Sequence, residues 1–341
     1  MQALRVTFVE PLKAELRPFE LNESLGDHEL LVKTEHSVIS AGTEGSFYSG
    51  LEFEHPASGG NVEYPRSTGY GNLGRVVAAG AARGDLVGKR VLSFTNHASY
   101  VKVNAAHFAL PVPDDVPGPD AVFTRMVGVA ITSVRSSSVS IGDTVMVIGM
   151  GLVGNFAAQL FRLAGADVLA VDVADDRLER AKQCGITRVC NSKRESLKDV
   201  VDAWTGRKGV RIAVEAIGNA DLIDECVQRT RRKGEVILLG SPRKRVTMDV
   251  TPMLSRIHLL GIHLIGALEW LYSVQEHDAA RHSIIENYRQ IVGWIQSGAI
   301  RVAPLRTHVL SPRDCQDAYY GLHAKKDEYL GVVFDWSKLD G

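Results

Sequence analysis

At 341 residues and 45% hydrophobic content, the chain can bury two cores of ordinary size. Its 39 lysines and arginines nearly balance 40 aspartates and glutamates, so no global field draws it to nucleic acid or to an acidic membrane surface. The expected partner is a small-molecule substrate. Four cysteines (Cys184, Cys190, Cys226, Cys315) form no C-x-x-C pair and have no histidine at zinc spacing, which argues against a disulfide framework and a structural metal and leaves buried thiols.

The N-terminal run MQALRVTFVEPLKAELRPFE is broken by charges and prolines and has no apolar core or cleavage site; cytoplasmic residence is the expectation. From Leu4 to Val116 short β runs are separated by turns: LLVKTEHSVI, YGNLGRVVAAG, GKRVLSF and HASYVKV. Glycine and proline punctuation between them predicts an irregular antiparallel barrel. From about Asp120 the character changes. TVMVIG, DVLAVD, RIAVEAIG and EVILLG alternate with helical stretches beginning at Leu152, Arg177 and Asp221, and that alternation predicts βαβ units and a parallel sheet. Val145 to Phe161, the longest apolar tract, holds three glycines and Asn155 and is too interrupted to span a bilayer, so no membrane association is expected. The remainder carries a predicted helix over 279–297 and the strands RTHVL and GVVFDW, too little to stand alone, and is expected to complete the first domain.

The strongest motif is VMVIGMGLVG, where Gly149, Gly151 and Gly154 form G-x-G-x-x-G directly after a strand and open a helix. Gly149 permits the tight turn, Gly151 lets the backbone approach a pyrophosphate, and Gly154 lets helix pack on strand; the helix N-terminus, with Leu152 and Val153, then faces the phosphates. Asp172 ends the next strand close to the ~20-residue spacing expected of an acid that binds the adenosine ribose 2′-hydroxyl. A carboxylate there repels a 2′-phosphate, so the cofactor expected is NAD rather than NADP. The alternative for Asp172 is a turn or helix-capping role before Arg177, itself a further cofactor-side candidate.

The order of SVISAGTEGSFYSG, TGYGNLGRVVAAG, GMGLVG, VDVADDRLERAKQCGI and GEVILLGSP resembles the medium-chain dehydrogenase/reductase superfamily over nearly the whole chain. The SAGTE and GYGNLGRVV segments resemble its zinc-free branch that includes hydroxyethyl bacteriochlorophyllide dehydrogenase. The resemblance implies an α/β fold: a Rossmann NAD-binding domain (121–267) inserted into a GroES-like irregular β-barrel catalytic domain (1–120 with 268–341), an active site in the cleft between them, and a homodimer joined through edge strands, for which Ile257 to Leu268 is the candidate. Many members hold a catalytic zinc through a cysteine, a histidine-glutamate pair and a third ligand. The corresponding positions here are Ser40 or Ala41, Tyr70-Gly71, and a residue near Thr124, none a normal zinc ligand, so no metal is expected.

Without zinc, a side chain must exchange the alcohol proton. Tyr70, at the place of the family's zinc-binding histidine, is the first candidate, or else lines the cleft. His97 is either a proton-exchanging group or a structural histidine. Thr43 matches the family's relay hydroxyl or makes a turn hydrogen bond, and Glu44 reads as a structural ion pair with an arginine. The basic clusters RTRRKG and PRKR read as a solvated helix end and an unassigned loop. The function expected is zinc-independent, NAD-dependent hydride transfer between nicotinamide and a secondary alcohol or ketone, for instance a polyol, cyclitol or sugar derivative. The alternatives are an NADPH-dependent enone or quinone reductase and a non-catalytic NAD-binding sensor.

Overall fold

The computed structural model describes residues 1–51, 62–242, 246–276 and 278–339. The chain divides into two compact units, one of Met1–Arg125, Ser273–Gly298 and Leu305–Gly341, the other of Met126–Tyr272 and Ala299–Pro304. In chain order the first unit supplies β1 (Gln2–Glu10), β2 (Lys13–Glu20), β3 (Glu29–Val38), β4 (Arg66–Ser67), β5 (Asn72–Ala79), β6 (Arg90–Ser93), β7 (Tyr100–Asn104) and β8 (Leu110–Pro111). The second supplies β9 (Thr144–Ile148), β10 (Asp167–Asp172), β11 (Arg188–Asn191), β12 (Val210–Glu215), β13 (Thr230–Leu238) and β14 (His263–Gly266); the chain then returns with β15 (Arg306–Leu310) and β16 (Gly331–Asp335).

In the first unit a sheet of order β15-β16-β3-β5-β6-β8, with β7 also paired to β3, accompanies a small sheet of order β2-β1-β4. Alternate residues of β1 and β16 turn inward: Val6, Phe8, Val332 and Phe334 pack with Ile39, Tyr48, Tyr319 and Trp336 in one core. The segment SAGTEGSFYSG, left without an element by periodicity, forms the helix Ala41–Ser49, closed by left-handed Gly50.

In the second unit all six strands are parallel, in the order β11-β10-β9-β12-β13-β14, the doubly wound arrangement expected of alternating strands and helices. Val145, Met146, Val147, Ile212, Ala213 and Val214 are fully buried, because helices cover both faces of such a sheet and leave no polar side to alternate with. The strand order reverses between β9 and β12, which puts the loop after each at the topological switch point.

Three local differences from the sequence reading have physical causes. RTRRKG is a helix end only at Arg229, where the helix Ala220–Arg229 stops; from Thr230 the run belongs to β13, which accommodates the polar stretch with Lys233 at φ 54° and a register shift against β12. Ile257 to Leu268 divides between the helix Thr251–Leu260 and the edge strand β14. Ala299–Pro304 joins the second unit although its neighbours on both sides belong to the first. Gln159, buried in the helix Leu152–Leu163, donates to Arg301 O (3.1 Å) and accepts from Arg301 N (2.7 Å), while Arg180 Nη1 donates to Pro304 O (2.6 Å). PRKR falls mostly outside the described residues.

The four cysteines are buried, and burial pushes the thiols of Cys184, Cys190 and Cys315 up to about 11, so they are poor thiolate nucleophiles near neutral pH. Among the described residues no helix is long and apolar enough to cross a membrane.

Candidate active site

The second unit carries the glycine-rich turn. Gly149 sits at φ 97°, and a Cβ there would come within 2.4 Å of Ile217 Cγ1. A Cβ on Gly154 would lie 1.8 Å from Gly149 O, so the helix can start against the strand only with glycine at that position. Gly151 differs: a Cβ there would meet nothing within 4 Å. As the extended N-cap of the helix Leu152–Leu163 it makes no side-chain cap, so the first-turn N–H groups, those of Leu152 and Val153 among them, receive no acceptor from the N-cap position.

Asp172 closes this turn from β10. Its Oδ2 accepts from Met150 N (2.7 Å), and its Oδ1 accepts from Val173 N (2.7 Å) and Ala174 N (3.0 Å). Arg177 Nη1 lies 3.9 Å from Oδ2. A carboxylate offers about four acceptor positions; two on Oδ1 are taken by backbone, and Oδ2 keeps capacity for a further donor. The capping alternative and the ribose role are therefore compatible. Val173 and Ile217, apolar yet 60% and 54% exposed, stand at the carboxyl ends of β10 and β12. An uncapped helix start, open space over Gly151, a fixed carboxylate and two exposed apolar side chains fit a dinucleotide, with pyrophosphate on the helix and ribose on Asp172.

Glu215, which the sequence reading did not single out, ends β12 fully buried and accepts from Ile217 N (2.8 Å) and Gly218 N (2.9 Å). Burial pushes its carboxyl above the ordinary range, against the opposing pull of those N–H groups. It ties down the second loop at the switch point.

The first unit gathers three hydroxyls. Tyr70 donates a short hydrogen bond to Ser40 Oγ, and its hydroxyl lies 3.4 Å from Thr43 Oγ1. Ser40 and Thr43 stand at the start of the helix Ala41–Ser49, and Glu44 ties Ser40 to it. Its Oε1 accepts from Ser40 N (2.7 Å), reaching back over the first turn much as the glutamate of a capping box does, one residue later. Its Oε2 accepts from Thr68 Oγ1 (2.8 Å) and Tyr319 Oη (2.6 Å) and meets His97 Nε2 at 3.0 Å.

The Glu44 partner is thus a histidine, not an arginine. His97 is 0% and Glu44 1% exposed by side chain; the ring of His97 packs edge-on to Phe334 (5.3 Å, 85°) and against the backbone of Gly69, where a Cβ would come within 2.6 Å. Burial raises the Glu44 carboxyl, but the charge of His97 and hydrogen bonds from His97, Tyr319 and Ser40 N outweigh it, so the group sits below the ordinary 4.5. The structure therefore brings Tyr70 and Thr43 together with Ser40 and sets His97 behind them, joined through Glu44. Among the described residues no three His, Cys, Asp or Glu side chains are grouped to hold a metal ion, and Ser40, Ala41, Tyr70, Gly71 and Thr124 do not fit zinc.

Residues 153–277 match the family model for zinc-binding dehydrogenase. The chain is 24% identical over 345 residues to L-threonine 3-dehydrogenase of Aeromonas salmonicida, covering 92% of this chain and 94% of that protein. In fold it is similar to a zinc-binding dehydrogenase from Sinorhizobium meliloti 1021 bound to NADP (TM-score 0.80, 20% identity, 98% and 99% of the two chains). It is also similar to a short chain alcohol dehydrogenase from Escherichia coli CFT073 complexed with NADH (TM-score 0.79, 18% identity, 98% and 99%). The chain is thus similar to zinc-binding dehydrogenases in sequence over residues 153–277, and it shares the fold of these dehydrogenase structures.

Proposed function

We propose that this chain is a zinc-independent, NAD-dependent oxidoreductase that interconverts a secondary alcohol and a ketone. The observation that carries the reading is the hydroxyl cluster of Tyr70, Ser40 and Thr43, at the positions where the resemblance sets zinc ligands and a proton relay. When bound, the nicotinamide accepts or supplies the hydride. Tyr70 hydrogen-bonds the reacting oxygen and takes or gives its proton, with Ser40 and Thr43 as the next hydroxyls along which that proton moves. Glu44 and His97 hold Ser40 and thereby the Tyr70 hydroxyl; fully buried, His97 acts through Glu44 rather than on substrate.

NAD is favoured by Asp172, whose carboxylate is locked by backbone donors and would meet a 2′-phosphate with like charge at short range. The NADP held by one structural neighbour favours the rival enone or quinone reductase. Titrating the protein with NADH and NADPH and then assaying threonine, polyols, secondary alcohols, ketones, an enone and a quinone separates the readings. Tighter NADH binding with turnover on the alcohol-ketone pairs supports this one, NADPH preference with enone turnover supports the rival, and NADH binding without turnover supports a sensor.

A homodimer is part of the same reading. The edge strand β14, with Leu264, and the adjoining Leu268, Trp270 and Leu271, the last two 53% and 69% exposed, form an apolar border on the second unit. Sedimentation velocity reports it: a monomer at micromolar concentration contradicts the assignment.

A further inference from the structure

Arg125 has no place in the sequence reading, yet its contacts converge on Tyr70. The residue is 3% exposed. Its guanidinium carbon lies 4.6 Å from the centroid of the Tyr70 ring and 4.9 Å from that of Phe94. Nε donates to the Tyr70 carbonyl (3.2 Å), and Nη1 donates to Tyr288 Oη (2.5 Å). The next residue, Gly71, passes so close that a Cβ would stand 2.9 Å from Arg125 Cγ. Tyr288 is itself wedged edge-on against Phe94 (5.6 Å) and Phe108 (5.3 Å). The guanidinium is thus held by a carbonyl, a phenol and two ring faces, and the planar fork cannot turn away from Tyr70 without breaking them.

A cation on the face of a phenol ring is attracted to it and stabilises negative charge on the phenol oxygen. Because the site is buried, that field is weakly screened. We propose that Arg125 is a positioning residue for Tyr70: it fixes the ring against Ser40 and supplies the positive field under which the Tyr70 hydroxyl shares a proton with the reacting oxygen. The inference rests on Tyr70 as the proton-exchanging group of the proposed oxidoreductase. It adds a group that acts on the hydroxyl through the ring without touching substrate.

The test reads Tyr70 itself, so it needs no substrate. The full-length protein is treated with N-acetylimidazole and the rate of acetylation at Tyr70 is followed by peptide mass spectrometry, with Tyr70→Phe identifying the modified peptide. Arg125→Met, which keeps an unbranched apolar stem and removes the charge, is expected to slow acetylation about tenfold, and Arg125→Lys, which keeps charge and loses the fork, to stay within about threefold of the wild type. A purely structural arginine gives the opposite sign, since its loss loosens the ring and acetylation quickens. An unchanged or faster rate in Arg125→Met overturns the proposal. If Arg125→Met lacks a cooperative thermal transition, Arg125→Lys decides: a rate near the wild type supports the charge role, and a tenfold fall overturns it. The wider functional reading fails separately, through absence of turnover on the alcohol-ketone panel while the acetylation difference persists.

Discussion

The glycine turn and the hydroxyl cluster are built on different principles. In the turn, backbone does the work: glycines at 149 and 154 are required by approaches of 2.4 and 1.8 Å, and Asp172 is held by three main-chain N–H groups within two short segments. In the cluster, side chains hold side chains across long stretches of sequence, with Tyr319 reaching Glu44 over 275 residues and Arg125 reaching Tyr288 over 163. Local backbone requirements leave a pattern at fixed spacing. Long-range side-chain contacts leave none.

The largest expected effect is on the cluster. Tyr70→Phe lowers kcat about 10²- to 10⁴-fold with NADH affinity unchanged, as stopped-flow and fluorescence titration would register; unaltered turnover would remove Tyr70 from proton transfer. Glu44→Gln comes next and destabilises the fold by about 3 kcal/mol in denaturant unfolding, because it leaves His97 without its carboxylate. Its pH dependence is specific. A carboxyl held below 4.5 when folded contributes stability that is present above that pH and lost as pH falls through the folded value. The wild type therefore shows an acid decline in Tm below about pH 4.5, which the glutamine variant shows in weaker form; parallel curves would contradict the sign.

The turn gives smaller effects that separate its two kinds of glycine. Gly154→Ala, forced against Gly149 O, costs about 1–3 kcal/mol of stability and weakens NADH binding with it. Asp172→Ser shifts the NADH-to-NADPH affinity ratio about tenfold or more towards NADPH, and isothermal titration measures it directly. Gly151→Ala is the mildest: open space around its Cβ leaves Tm nearly unchanged, while the added methyl intrudes on the pyrophosphate and weakens NADH binding several-fold. Equal loss of stability at 151 and 154 would erase the distinction between a packing glycine and a ligand-facing one.

The same contrast explains what could be read in advance. The parallel sheet is legible because its strands are continuous β-branched runs, and the glycine turn because G-x-G-x-x-G and a following acid are demanded by geometry close in sequence. Tyr70 and Thr43 were legible through collinear motifs. His97 is legible as a candidate but its burial is not, because it lies in the bend between β6 and β7, where no alternation of apolar and polar residues marks an inward face. Glu44 was paired with the wrong partner type, and the clue, a glutamate four residues after Ser40 at a helix start, pointed only to the hydrogen bond with Ser40 N. Arg125 had no signal, since every contact that defines its role is made with a residue distant in sequence.

The central claim is oxidoreduction without a metal, and chelation tests it most directly. The protein is dialysed against a strong zinc chelator, its metal content is measured by plasma mass spectrometry, and NADH oxidation is followed with the ketone that gives the highest rate. The account predicts undiminished turnover at negligible zinc. Activity that falls with zinc content and returns on adding zinc would contradict it.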